Sequence, residues 1–247
     1  MISMKNEIFK NKNCLITGAT GGLGKEIVIE LANKNCNLFL TGTNETKLKN
    51  LKTELEKINN EISIEYQLTD LTNDDEINSL VKEVREKLPQ IDILVNCAGI
   101  FPVNKISKST IEEYDSCMNL NVRTPFILSK EFSKDMVKNG WGRIINIASS
   151  GAYNGLENTI IYRSSKHALL GLSRSLYNEL KEYNVRTFCI SPGPIKTDMG
   201  KDIIKKENPN EDYESFMNPK EIAEFITFVI SFDNNLISPE IRLGRIK

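Results

Sequence analysis

Residues 13–34 read NCLITGATGGLGKEIVIELANK: an apolar run, a glycine-rich turn and a helical pattern in immediate succession. Cys14–Thr17 has the length and apolar character of a buried strand, and Gly22–Asn33 carries apolar residues at helical spacing. Between them stands Thr17-Gly18-Ala19-Thr20-Gly21-Gly22-Leu23-Gly24. Glycines at a strand-to-helix turn let the backbone approach an anion closely. The helix start behind them offers free N–H groups and a positive dipole end. A tight turn needs glycine too, so the pattern takes its weight from its place in the first unit of a longer series, where it points to a bound nucleotide.

That series continues outward. Asn37–Thr41, Ile62–Tyr66, Ile91–Asn96, Arg143–Ala148 and Val185–Ser191 read as further buried strands. Glu45–Asn59, Asn73–Leu88, Ile111–Asn139 (broken near Asn119) and Ile161–Tyr183 read as the helices between them. The alternation predicts an α/β fold: a single-domain, Rossmann-like, doubly wound parallel sheet with helices on both faces, spanning 1–247 without linker or repeat. Asn218-Pro219 opens a last helix, Lys220–Phe232, as an N-cap followed by proline at the first helical position. A final short strand is expected in Glu240–Leu243. Pro192 to Met217 is the least regular piece, and a loop following a strand's carboxyl end borders the ligand crevice of such a sheet.

Composition narrows the function classes. In 247 residues, 32 Lys and Arg nearly cancel 33 Asp and Glu, for a net charge of −1. That balance argues against a nucleic-acid footprint and against an anionic membrane partner. Met1 to Lys12 is polar, and no apolar stretch approaches the roughly 20 residues of a membrane helix. Cys14, Cys36, Cys97, Cys117 and Cys189 are widely spaced and form no CxxC, so neither zinc nor a disulfide framework is expected. Reduced thiols and a cytoplasmic location fit that usage. His167 is the only histidine, and no metal-ligand set is visible.

Four side-chain types then suggest acid–base chemistry. Tyr162 and Lys166 are four apart, hence stacked on one face if the segment is helical. An ammonium beside a phenol favours the phenolate, which lets a tyrosine protonate a forming alkoxide or deprotonate an alcohol. The plainer reading is an amphipathic helix with a snorkelling lysine. Ser149 follows the apolar run Ile144–Ala148, at a strand end where a hydroxyl donates to a substrate oxygen; Ser150 competes for that role, and both could simply cap the turn. Asn121 stands inside a helical pattern where asparagine is a poor residue. It either holds a water or marks a bend ahead of Pro125, and the two readings are compatible.

The motifs as a set carry a resemblance. TGxxxGxG at Thr17–Gly24, Asn96-Cys97-Ala98-Gly99, Asn121, Ser149, Tyr162-Arg163-Ser164-Ser165-Lys166, and Ser191-Pro192-Gly193-Pro194 with Thr197 occur in order between about residues 13 and 199. The chain thereby resembles the short-chain dehydrogenase/reductases. The resemblance implies an oxidoreductase that moves a hydride between a nicotinamide and a carbonyl or alcohol carbon. It implies Asn121, Ser149, Tyr162 and Lys166 as the catalytic set, with Ser149 thirteen residues before Tyr162 and Asn121 anchoring a water that links Lys166 to solvent. It places the cofactor against Gly18, Thr20, Gly21, Gly22, Leu23 and Gly24, then Thr43 and Asn44, Asp70 and Leu71, and Asn96, Ala98 and Gly99. Tyr162, Lys166, Pro192, Gly193 and Thr197 complete that set. Asp70 reads equally as an ordinary strand-end turn residue. Cys97 stands where the family usually has a second asparagine.

The second strand ends Leu40-Thr41-Gly42-Thr43-Asn44. Gly42 holds the position where an NAD site carries a carboxylate, and its lack of charge favours NADP, with NAD possible. The family's usual arginines are also missing, since Thr43 and Gly21 hold their places. The resemblance further implies a homo-oligomer, tetramer or dimer, joined through Ile111–Asn139 and Ile161–Tyr183. The tail Pro239–Lys247 departs from the family pattern. Three functions compete: a 3-oxoacyl-acyl-carrier-protein reductase, a reductase of a sugar or nucleotide-sugar keto group, and a catalytically silent NADP-binding protein. The charged stretch after Pro192 lacks the broad apolar face of an acyl lid, and Asn178 stands where a carrier-docking base is expected. A small or polar keto substrate fits those features better than a carrier-bound acyl chain.

Overall fold

The computed structural model describes residues 6–207 and 212–245. Seven parallel strands form one sheet in the order β3-β2-β1-β4-β5-β6-β7. They are β1 (Asn13–Thr17), β2 (Asn37–Gly42), β3 (Ile64–Leu68), β4 (Ile93–Asn96), β5 (Gly142–Ile147), β6 (Val185–Pro192) and β7 (Glu240–Leu243). The helices are α1 (Gly22–Asn33), α2 (Glu45–Ile58), α3 (Asp74–Lys87), α4 (Ile111–Met118), α5 (Thr124–Asn139), α6 (Ile160–Leu180), α7 (Asp198–Glu207) and α8 (Pro219–Ile230). This is the doubly wound, Rossmann-like arrangement read from the sequence.

Alternate residues of the buried strands serve two faces. Cys14 and Ile16 of β1 join Ile27, Leu31, Leu48, Leu51, Ile222 and Ile226 beneath α1, α2 and α8. Leu15, between them, joins Ile77, Leu80, Leu128 and Phe132 beneath α3 and α5 on the other face. Fully burying such aliphatic and aromatic side chains contributes about 1.5–3 kcal/mol each, so the two layers fix the sheet. The strand order reverses between β1 and β4, which opens a crevice at their carboxyl ends.

Strands β3 and β4 each begin two residues later than expected, β4 at Ile93 rather than Ile91, and a helix stands where a loop was expected. Pairing of β3 begins at Ile64 rather than Ile62. The chain before it is held in a turn, with Asn59 Oδ1 accepting from Glu61 N at 3.0 Å and Asn37 Oδ1 accepting from Ser63 N at 2.9 Å. The stretch expected to be an irregular loop after Pro192 contains a helix, α7. Asp198 opens it in the first turn, Thr197 Oγ1 accepts from Gly200 N at 3.1 Å, and Met199 and Ile203 sit one helical turn apart on its inner side. Glu211 of the charged stretch, and Ile246 and Lys247 of the tail, lie outside the described residues.

Arg143 on β5 is fully buried. Its guanidinium donates to the carbonyls of Ile230, Gly142 and Phe232 at 3.2, 2.8 and 3.3 Å and to Asp233 Oδ1 at 2.5 Å. It lies 4.3 Å from the Trp141 ring centroid. Burial pushes its pKa down to about 10, and the Asp233 carboxylate opposes that shift. The bonds to Ile230 and Phe232 tie down the chain at the end of α8, whose last carbonyls have no helical partner.

Candidate active site

A cavity of about 630 Å³ opens at the carboxyl ends of β1, β4, β5 and β6. The glycine turn forms one wall. Gly18 has φ +65°, and a Cβ there would stand 2.8 Å from Ala98 Cα; a Cβ on Gly24 would stand 2.1 Å from the Gly18 carbonyl oxygen. Only glycine allows this approach of the β1–α1 turn to the β4 end. Thr17 Oγ1 secures it by accepting from Cys97 N and Ala98 N, both at 3.1 Å. Helices α2, α3, α4 and α8 each begin on a capping side chain, whereas α1 begins on Gly21, which supplies none. The first-turn N–H groups of α1 therefore face the cavity with the donor set that a pyrophosphate accepts. The residues present fit a dinucleotide.

Gly18, Thr20, Gly21, Gly22, Leu23, Gly24, Thr43, Asn44, Ala98 and Gly99 line this space. Pro192, Gly193 and Thr197 line it from the β6 side, and Ser149, Tyr162 and Lys166 from the β5–α6 side. Thr197 Cγ2 would stand 2.6 Å from a Cβ on Gly22, so the chain after Pro194 lies directly on the glycine turn. Asp70, Leu71, Asn96 and Asn121 are outside the lining. Asp70 is exposed beyond β3 and accepts from Thr72 N and Oγ1 at 2.9 and 2.7 Å, bonds that hold its carboxyl below the usual range. Leu71 belongs to the core under α3. Asn96 donates to Asn146 Oδ1 at 2.7 Å inside the sheet.

Asn121 sits in a single π-helical turn, Asn119–Arg123, between α4 and α5. Its Oδ1 accepts from Ile100 N, and its Nδ2 donates to Ile100 O, both at 3.0 Å. Nδ2 also donates to Ser165 Oγ at 2.9 Å. One buried amide thus ties the loop after β4 to the helix that carries Tyr162, which is how the helix break serves the site.

At the β5–α6 end of the cavity, Ser149 Oγ accepts from Gly151 N at 3.0 Å, which fixes the hydroxyl at the end of β5. Ser150 also lines the cavity, as the first residue of a 3₁₀ turn. Tyr162 is nearly buried, with the Phe101 ring centroid 4.0 Å from its own. Lys166 lies 5.7 Å from the Tyr162 ring centroid, and its Nζ donates to the Ile147 carbonyl at 2.8 Å. Burial lowers the Lys166 pKa to about 8, against the opposite influence of the Cys97, Cys117 and Cys189 thiols.

Two basic cavity residues escaped the sequence reading. Lys47 lies in the first turn of α2, and its helical position returns it to the cavity beside Thr43 and Asn44. Arg163 follows Tyr162 and lines the same end of the cavity. Among the described residues, the charged groups lining the cavity are Lys47, Arg163, Lys166 and Asp198.

The sequence model of the family described as short chain dehydrogenase matches residues 12–208. The chain is 34% identical over 234 residues to 3-oxoacyl-acyl-carrier-protein reductase FabG of Rickettsia bellii, with 92% of each chain covered. It is 33% identical over 204 residues to an uncharacterized oxidoreductase of Thermotoga maritima, covering 83% of this chain and 79% of the relative. The solved structure of levodione reductase is similar with a TM-score of 0.88 at 25% identity, covering 96% of this chain and 97% of that one. No helix among the described residues is long and apolar enough to cross a membrane. Matched to the family over four fifths of its length, the chain belongs to the short-chain dehydrogenase family of oxidoreductases.

Proposed function

We propose that this chain is a single-domain, NADPH-dependent reductase of small ketones in which Tyr162 is the proton donor. The observation that carries this reading is the convergence of Ser149, Tyr162 and Lys166 on one cavity whose other end is an uncapped glycine turn. A nicotinamide, when bound, supplies the hydride. Ser149, positioned by Gly151 N, donates its hydroxyl hydrogen to the carbonyl oxygen and orients the ketone. Tyr162 Oη gives its proton to that oxygen as negative charge develops there. The Lys166 ammonium stabilises the phenolate left behind, and its tie to the Ile147 carbonyl holds it on the Tyr162 face of α6. Asn121 acts through position, keeping the Ile100 loop and α6 in register.

Preference for NADP over NAD rests on charge. Gly42 brings no carboxylate to the ribose end of the cavity, and Lys47 brings a cation that forms no ion pair among the described residues. A 2′-phosphate would meet Thr43, Asn44 and Lys47 there, in place of the arginines the family usually supplies.

A homo-oligomer is part of the same proposal. Ile111 and Tyr114 of α4, Phe126 of α5 and Ile160 of α6 are exposed apolar side chains on neighbouring helices, a surface that a second copy would cover.

A second reading, reduction of a carrier-bound 3-oxoacyl thioester, is favoured by the 34% identity to the Rickettsia bellii reductase. Purified protein assayed for NADPH oxidation against small polar ketones and acetoacetyl-carrier protein separates the two. The first reading expects at least one small ketone to give the higher kcat/KM. A carrier substrate that outperforms the whole panel replaces it with the second.

A further inference from the structure

We propose that Arg163 is a specificity-determining residue that receives a carboxylate of the substrate, so that the preferred ketones are small oxo acids. The inference rests on the proposed ketone-reductase reading of the same cavity. Ser149 Oγ and Arg163 Nη1 lie 3.3 and 3.5 Å from one point over the Gly151 Cα. The guanidinium is therefore under about 7 Å from the hydroxyl that would orient the carbonyl, with Tyr162 as its chain neighbour.

The guanidinium is held, and it is held by neutral groups. Nε donates to Thr159 Oγ1 at 2.9 Å, and Nη1 donates to the Asn154 carbonyl at 3.2 Å and to Asn154 Oδ1. Among the described residues no carboxylate pairs with it, although Glu157 lines the adjoining groove. A cation anchored by neutral acceptors keeps its whole charge for an incoming anion, and the planar fork is already oriented. Nη2 has no acceptor among the described residues, and Arg163 lines both the catalytic cavity and the adjoining groove.

Charge and reach select the anion. Lys166 is buried and donates to the Ile147 carbonyl, so the half-buried Arg163 guanidinium is the more accessible cation at that end of the cavity. One planar guanidinium matches a singly charged carboxylate, whereas a phosphate dianion is commonly held by more than one cation or by a helix start. The span to Ser149 suits an oxo group one or two carbons from the carboxylate. In the reaction the carbonyl carbon accepts a hydride from the reduced nicotinamide and the oxygen accepts the Tyr162 proton. The ketone is reduced to an alcohol, the nicotinamide is oxidised, and the carboxylate leaves unchanged.

The test compares ketones with and without an anionic group: acetoacetate with its methyl ester, pyruvate with its methyl ester, and dihydroxyacetone phosphate with dihydroxyacetone. Each pair is assayed for NADPH-dependent reduction. Binding of 3-hydroxybutyrate and its methyl ester to the NADP-loaded protein is titrated calorimetrically in parallel. At least one oxo acid should exceed its ester by about 10- to 100-fold in kcat/KM, the range of a charge-assisted hydrogen bond, chiefly through KM. The hydroxy acid should bind at least about tenfold tighter than its ester on the same grounds. Arg163→Gln should collapse both ratios toward one, and Arg163→Lys should restore part of them. Equal handling of acid and ester, or a ratio that survives Arg163→Gln, overturns the assignment. A preference confined to the phosphate pair overturns the carboxylate assignment. Charge-selective binding without turnover of any ketone would leave the Arg163 assignment standing and count against the reductase reading instead.

Discussion

Replacing Gly42 by aspartate should reverse the cofactor preference, and the structure sets the expected size. Gly42 ends β2 beside Thr43, Asn44 and Lys47, and a Cβ there would stand 3.2 Å from Thr20 Oγ1. Thr20 is only half-buried and lines the cavity, so its side chain has room to give a few tenths of an ångström. The new carboxylate would lie near the site proposed for a 2′-phosphate. Two unit charges about 5 Å apart repel by about 3 kcal/mol at an effective dielectric of 20. Thr43, Asn44 and Lys47 are exposed, so solvent and salt reduce this to about 1.5–3 kcal/mol. That corresponds to a rise of about 10- to 150-fold in the Kd for NADPH. The same carboxylate could accept from the ribose hydroxyls of NADH and tighten it by up to about tenfold. Fluorescence titration of both cofactors measures each effect, and Gly42→Asn supplies the same bulk without charge. Unaltered NADPH affinity in the aspartate variant, or an equal loss in the asparagine variant, would refute the charge argument.

Lys47→Met should weaken NADPH by about fivefold and leave NADH unmoved, as expected for an exposed charge contact; cofactor titrations at low and high salt check this. Lys166→Met should abolish turnover yet stabilise the cofactor-free protein by about 3 kcal/mol at pH 7, because a buried ammonium with its pKa lowered from 10.5 to about 8 opposes folding. Between those values the unfolded chain binds more protons than the native one, so wild-type stability should rise from pH 8 to 10.5 and the gap to the variant should close, as urea titrations across that range would register. Arg143→Ala should cost about 3–5 kcal/mol, since it empties a buried site and strips donors from the Ile230, Gly142 and Phe232 carbonyls; chemical denaturation gives the number. Sedimentation of the wild type should show an oligomer that Ile111→Glu with Phe126→Glu dissociates, and a monomeric wild type at micromolar concentration would contradict that expectation.

The parts of this molecule that were readable in sequence are those whose cause is local. Cys14–Thr17 and Val185–Ser191 are apolar runs bounded by turn residues, and they pair as strands within a residue of the expected limits. The glycine turn was legible because Gly18 and Gly24 answer steric demands that no other residue meets. Helix α7 was missed because Pro192-Gly193-Pro194 and a run of charges dominate its neighbourhood; its apolar signal is only Met199, Ile203 and Ile204. Lys47 and Arg163 were missed for a different reason. Each reaches the cavity through the geometry of a helix's first turn, and nothing in the immediate sequence distinguishes it from a solvated base. Asn121 was singled out, but its partners Ile100 and Ser165 lie 21 and 44 residues away and become visible only in the fold.

The proton-donor role of Tyr162 is tested most directly by single turnover with NADPH deuterated at the transferring position, in the wild type and in Tyr162→Phe. The ring and its packing against Phe101 survive the substitution. NADPH should therefore bind with nearly wild-type affinity while transfer of deuterium to the carbinol carbon slows by about 10²–10⁴, the range of one positioned acid–base group. A Tyr162→Phe protein that binds NADPH normally and still transfers deuterium at more than about a tenth of the wild-type rate would contradict the account.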